Sequence, residues 1–154
     1  MTATIGAPAP DFELPATDKT PTALSSFRGH NTLVVFIPFP FTGNCTDEAC
    51  TLRDHLAELA SLDANVVVIT CDTLYANRVW AEQNGLSFPV LSDFWPHGEV
   101  ARSYGAFNEP TGSATRSTFV LDADGIVRDV IASGSLGIVR EYDAYVASLS
   151  ALGS

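Results

Sequence analysis

Residues 31–45 read Asn-Thr-Leu-Val-Val-Phe-Ile-Pro-Phe-Pro-Phe-Thr-Gly-Asn-Cys, and the rest of the chain can be ordered around them. The first seven residues are a continuous apolar, β-branched run, the pattern of a strand buried on both faces. Pro38 ends it, because proline has no N–H to give to a ladder. Beyond the loop 38–44, Ala49, Leu52, Leu56 and Leu59 recur at spacings of three and four and lay one apolar stripe along a helix. Strand, short loop and helix therefore put Cys45 at or just before a helix N-terminus. Unpaired backbone N–H groups and the positive end of the helix dipole favour the thiolate there. Free cysteine is also among the most buried residue types, so position alone leaves Cys45 open between a nucleophile and a small core residue.

Working outward, Asn65–Cys71 (Asn-Val-Val-Val-Ile-Thr-Cys) is a second buried-strand run. A helix over 74–84 follows, with Val79, Trp80 and Gln83 in register and Gly85 as its stop. Residues 88–91 read as a short strand, and 98–104 as a short helix stopped by Gly105. Residues 117–131 form a hairpin with Asp-Ala-Asp-Gly at the turn, and a closing helix over about 140–152 carries Tyr142, Tyr145, Val146, Leu149 and Leu152 on one face. Ahead of all this, the Pro- and Thr-rich stretch 10–24 suggests a peripheral N-terminal β-hairpin with Phe12, Leu14 and Leu24 inward. Parallel strand–helix units, then an antiparallel hairpin and a last helix amount to an α/β fold with a central mixed β-sheet flanked by helices. With 154 residues and no repeat or linker-like stretch, a single domain over 1–154 is expected.

Composition narrows the partners. Eighteen acidic against eight basic residues give a net charge of −10, a field that repels phosphate backbones and anionic membranes, so neither nucleic acid nor membrane is an expected partner. The N-terminal stretch has no basic region followed by an apolar one, and the expected location is cytoplasmic. Three cysteines, none in a Cys-x-x-Cys pair, argue against a disulfide scaffold and a zinc ribbon, and disfavour a dithiol disulfide reductase. His30, His55 and His97 show no ligand spacing, so neither metal nor cofactor is implied.

Pro38-x-x-x-Thr42-x-x-Cys45 matches the signature of the peroxiredoxins, and the opening Gly6-Ala-Pro-Ala-Pro-Asp-Phe-Glu-Leu14 resembles theirs. Within that family, Leu91-Ser-Asp-Phe-Trp-Pro-His-Gly98 and Tyr104-Gly-Ala-Phe-Asn-Glu109 look most like the alkyl hydroperoxide reductase E type. The resemblance implies a thioredoxin-like fold and a thiol-specific peroxidase acting on hydrogen peroxide and organic hydroperoxides. It assigns Cys45 as the peroxidatic nucleophile, Thr42 as a hydrogen-bond partner of the peroxide and Pro38 as a shield of the pocket. Arg116, just ahead of a late strand, matches the arginine that lowers the thiol pKa and steadies charge on the peroxide oxygens. Glu48 matches the position that orients this arginine. The family also points to a homodimer. A non-enzymatic alternative is a redox sensor or holdase that uses oxidation of Cys45 to switch partner binding.

The sulfenic acid formed at Cys45 needs a second thiol to return it to the reduced state. Cys45-x-x-x-x-Cys50 is similar to the bacterioferritin-comigratory type, in which the second cysteine resolves, whereas the reductase E type is a one-cysteine enzyme. The reductant differs accordingly: thioredoxin for the first, a low-molecular-weight thiol with a glutaredoxin-like protein for the second. On an intact helix, residues five apart have Cα atoms about 8–9 Å apart and about 140° around the axis, beyond the ~7 Å that a disulfide tolerates. Pairing thus requires the first turn to unwind. Cys71, at the end of an apolar run, reads as structural.

Overall fold

The computed structural model describes residues 3–132 and 142–152, with the backbone alone at Asn44 and Cys45. Strand β3 (Asn31–Phe36) lies at the centre of a five-stranded sheet. On one side it runs parallel to β4 (Ala64–Thr70), which runs parallel to β5 (Val90–Ser92). On the other it pairs antiparallel with β8 (Ser117–Leu121), which turns back into β9 (Val127–Ala132). The sheet is mixed, as expected, with order β5-β4-β3-β8-β9.

The strand alternation feeds two apolar layers. Leu33, Val35 and Ile37 join Val66, Val68 and Val120 on one face, beneath Ala49 and Leu52 of α1 (Gly43–Asp54), Leu59 of α2 (Leu56–Ser61), Trp80 of α3 (Leu74–Asn84), and Tyr145 and Leu149 of α5 (Tyr142–Leu152). Val34, Phe36, Val67, Ile69 and Phe119 fill the other face. They meet Phe12, Leu14 and Leu24 from the N-terminal hairpin, β1 (Glu13–Pro15) with β2 (Pro21–Ala23), and Tyr104 from α4 (Glu99–Tyr104). Burial on both faces explains why β3 and β4 are unbroken apolar runs.

Several expectations shift. The single stripe from Ala49 to Leu59 is carried by two helices, because His55 leaves helical geometry (φ −112°, ψ 15°) and its Nδ1 lies 2.7 Å from the Thr51 carbonyl. The i to i−4 bonds persist across it, from His55 N–H to the Thr51 carbonyl and from Leu59 N–H to the His55 carbonyl, so the two helices meet at a kink and not at a gap. In α3 the inward residues are Asn77, Trp80 and Ala81, whereas Val79 and Gln83 face solvent. Asn77 pays for its burial by bonding to the sheet, which a count of apolar positions does not anticipate. The strand expected at 88–91 begins two residues later, at Val90. Beyond α4, Phe107 belongs to a small hairpin of β6 (Phe107–Asn108) and β7 (Ser113–Ala114). Gly85, at φ 62°, ends α3 as expected. The closing helix is confirmed from Tyr142, and residues 140–141 of that expectation lie outside the described residues.

Candidate active site

The C-terminal end of β3 leads into the loop 38–42 and then α1. Pro38 and Pro40 are buried, so the start of this loop is fixed against the sheet. Phe41 takes a left-handed backbone (φ 73°), uncommon for a bulky residue, and leaves its ring half exposed. Thr42 is the residue before the helix, but its side chain caps nothing. Its hydroxyl donates instead to the Phe39 carbonyl at 2.7 Å. With the hydrogen spent, the hydroxyl oxygen presents lone pairs to a donor at the helix mouth. The Thr42 carbonyl accepts from Thr46 N–H at 3.0 Å and closes the first turn. Cys45 is the third residue of α1, two residues further in than the N-terminal position the sequence suggested, and its thiol lies outside what is described.

One residue of the expected set comes from far away in sequence. Arg116, ahead of β8, donates through Nη1 to Glu48 Oε1 in the first part of α1. Both partners are buried, at 4% and 7% exposure. A buried guanidinium is tolerable only when paired, and a carboxylate fixed on the helix three residues after Cys45 supplies the pairing. Thus Pro38, Thr42, the Cys45 backbone and Glu48 arrive on one strand–loop–helix unit, and β8, hydrogen-bonded to β3, delivers Arg116 to it.

A second fastening, which sequence reading missed, holds the same turn from its other flank. The indole of Trp80, fully buried in α3, donates through Nε1 to Thr46 Oγ1 at 3.1 Å. Further along, Cys50 is a free, half-buried thiol whose Sγ donates to Asn84 Oδ1 at 3.7 Å, and Arg53 Nη1 donates to the Asn84 carbonyl at 2.6 Å. Cys50 therefore faces the C-terminal end of α3 from the middle of an unbroken helix. Cys71 is buried, and burial with the nearby Asp93 charge pushes its thiol up to about 12. That is the environment of an inert cysteine.

Also unforeseen was Asp93. Its carboxylate accepts from Val100 N–H (3.1 Å) and Ala101 N–H (2.8 Å) at the start of α4, and burial raises its pKa against the pull of those two donors. It organises the loop that carries Phe94 and Trp95, the latter 81% exposed. The signal was present in Asp93 preceding Gly98-Glu99, but an acceptor reaching seven residues ahead fits no short capping pattern. Among the described residues, no group of three His, Cys, Asp or Glu is placed to hold a metal, and no helix is long and apolar enough to cross a membrane.

Comparison with known proteins bears on this arrangement directly. Residues 5–130 match the AhpC/TSA family. The chain belongs to that family. It is 43% identical over 149 residues to alkyl hydroperoxide reductase E of Mycobacterium tuberculosis, which covers 96% of this chain and 97% of that relative. Among solved structures of AhpC/TSA-like proteins, peroxidoxin BcpB from Mycobacterium tuberculosis superposes with a TM-score of 0.87 at 34% identity over 99% of each chain. Enterococcus faecalis AhpC gives 0.88 at 27% identity, covering 99% of this chain and 93% of its own. The mixed five-stranded sheet with its N-terminal hairpin is accordingly the thioredoxin-like fold of an AhpC/TSA protein.

Proposed function

We propose that this chain, as one domain over residues 1–154, is a thiol-dependent peroxidase with Cys45 as its nucleophile, reducing hydrogen peroxide and organic hydroperoxides. What carries the reading is the buried Arg116–Glu48 pair, set against the helical turn that contains Cys45. In a water-poor site a fixed guanidinium favours the thiolate and then the charge on the departing oxygen.

The reaction follows from the parts. The Cys45 thiolate attacks the distal oxygen of R–O–O–H, an S–O bond forms as the O–O bond breaks, sulfur is oxidised and the peroxide reduced. The alkoxide or hydroxide leaves with the electron pair and takes a proton from solvent. Thr42, with its hydrogen committed to Phe39, accepts the peroxide O–H, while Arg116 donates to the oxygen that gathers charge. Pro38 keeps water from one side. A thiol then attacks the sulfenic acid, releasing water and leaving a disulfide, and a second thiol restores Cys45.

Cys50 is the resolving thiol in this scheme, reached when the first turns of α1 unwind, and a thioredoxin-type protein or a low-molecular-weight thiol with a glutaredoxin-like partner supplies the electrons. The enzyme works in the cytoplasm as a homodimer. In support of the dimer, Phe39 and Phe41 follow β3 and Phe94 and Trp95 follow β5, so parallel strands bring four exposed aromatic residues to one edge, where a second copy would cover them. Peroxide consumption in the presence of thiol, measured for wild type and Cys45→Ser, tests the central claim. Loss in the variant is expected, and retained turnover would refute it.

A further inference from the structure

We propose that Trp80 is a positioning residue for the peroxide reaction, acting on the nucleophile's helical turn through Thr46; the proposal rests on the reading of Cys45 as nucleophile. The apolar contacts beneath α1, from Ala49 and Leu52, hold the helix against the sheet. Such contacts are non-directional, and they leave a helix free to roll or slide by fractions of an ångström. Attack on an O–O bond is sensitive to displacements of that size. Something directional has to set the turn.

Two hydrogen bonds do so from opposite flanks. From β8, Arg116 takes Glu48, three residues after Cys45. From α3, Trp80 takes Thr46, the residue directly after Cys45. The indole N–H is a donor only, and fully buried it must find an acceptor. The one it finds is a side-chain hydroxyl of the catalytic turn.

The anchor behind Trp80 is itself tied to the sheet. Asn77, one turn earlier and fully buried, accepts from Thr70 Oγ1–H at 2.7 Å at the end of β4. Its amide donates to the Leu91 carbonyl of β5 at 3.4 Å. Thr73 caps the start of α3 by accepting from Ala76 N–H. A continuous path therefore runs from β4 and β5 through Asn77, α3, Trp80 and Thr46 to the turn of Cys45, and it references that turn to the sheet independently of Arg116. Removing the indole N–H or the Thr46 hydroxyl would leave the turn held by Arg116 alone, without its tie to α3.

The test measures the second-order rate at which hydrogen peroxide oxidises Cys45, by rapid quench and mass spectrometry, well below each variant's thermal midpoint. Trp80→Phe and Thr46→Val are each expected to slow oxidation roughly tenfold, the scale of one directional bond lost at the reacting geometry. Thr46→Ser, which keeps the acceptor, is expected to restore the rate to within about twofold, which a purely structural contribution of the threonine methyl would not do. The double variant Trp80→Phe/Thr46→Val is expected to be no slower than the slower single one, because both remove the same bond. Wild-type rates in either single variant, or Thr46→Ser as slow as Thr46→Val, would overturn the proposal. If Trp80→Phe fails to fold, the two Thr46 variants decide alone. Retained peroxide reaction in Cys45→Ser instead removes the nucleophile reading, and with it the basis for positioning.

Discussion

Arg116→Met separates what the buried ion pair does for the fold from what it does for chemistry. The substitution keeps a long apolar stem but leaves the Glu48 carboxylate, 7% exposed, facing a thioether where a guanidinium stood. Removing one partner of a buried pair typically costs about 3–5 kcal/mol, because the survivor is an uncompensated charge. At about 2–4 °C per kcal/mol for a chain of this size, the thermal midpoint should fall by roughly 10 °C. Peroxide reactivity should fall further than folding explains, by about 10²-fold, the scale of one lost donor to developing charge. The companion variant Arg116→Met/Glu48→Met removes both charges and should recover most of the midpoint, since replacing a buried pair by packed apolar groups is often neutral. It should not recover the rate. The assays are scanning calorimetry and peroxide consumption with saturating thiol on the same preparations. If the double variant regains both stability and rate, Arg116 serves the fold alone and its assignment to the reaction is wrong.

Other consequences follow from the remaining residues. Thr42→Val should lower the rate of Cys45 oxidation by about 10²-fold with little change in stability, because among the described residues its hydroxyl bonds to the local Phe39 carbonyl and is exposed; a rate within twofold of wild type in a quench assay would contradict its role. One equivalent of peroxide should yield a Cys45–Cys50 disulfide, with faster amide hydrogen exchange across Gly43–Asp54, whereas Cys50→Ser should accumulate sulfenic and then sulfinic acid by mass spectrometry. A stable sulfenic acid in the wild type would exclude resolution by Cys50. The Cys71 thiol titrates near its ordinary 9.0 when unfolded and at about 12 when folded, so the unfolded chain releases its proton first as the pH rises. Its stability contribution is complete below pH 9 and is lost by about 1.4 kcal/mol per pH unit between 9 and 12. Cys71→Ala should flatten that part of the urea-midpoint profile, and an unchanged slope would show that Cys71 does not titrate this way. Trp95→Glu, placing charge on the exposed aromatic edge, should shift sedimentation from dimer to monomer.

How much of this was legible in the sequence differs from element to element. The strands β3 and β4 were plain because burial on both faces makes their middles, Leu33–Phe36 and Val66–Ile69, wholly apolar, and the turn Asp122-Ala-Asp-Gly125 because Asp122 Oδ1 accepts from Asp124 and Ile126 N–H. The loop and helix carrying Pro38, Thr42, Cys45 and Glu48 were legible because those residues are neighbours along the chain. Arg116 was placed only by resemblance; no local pattern distinguishes it from a solvated arginine, and its burial depends on β8 pairing with β3. Trp80 looked like core, which it is, but its N–H partner lies 34 residues away and is set by how two helices meet. The bend at His55 was invisible because the apolar spacing continues through it while its φ and ψ leave the helical region. Asn77 was hidden for the opposite reason, as a polar residue on an inward face whose partners belong to two different strands.

The bend at His55 also divides the labour between α1 and α2. Helical order is cooperative, and a change at one end of an uninterrupted ladder is felt along its length. Here the twelve residues of Gly43–Asp54 end at the kink at His55, and Leu59 beyond it is fully buried. If the proposed oxidation of Cys45 melts and re-forms the start of α1, Leu59 on the far side of the kink keeps its place in the core, and the layer beneath α2 need not learn which oxidation state the thiol is in.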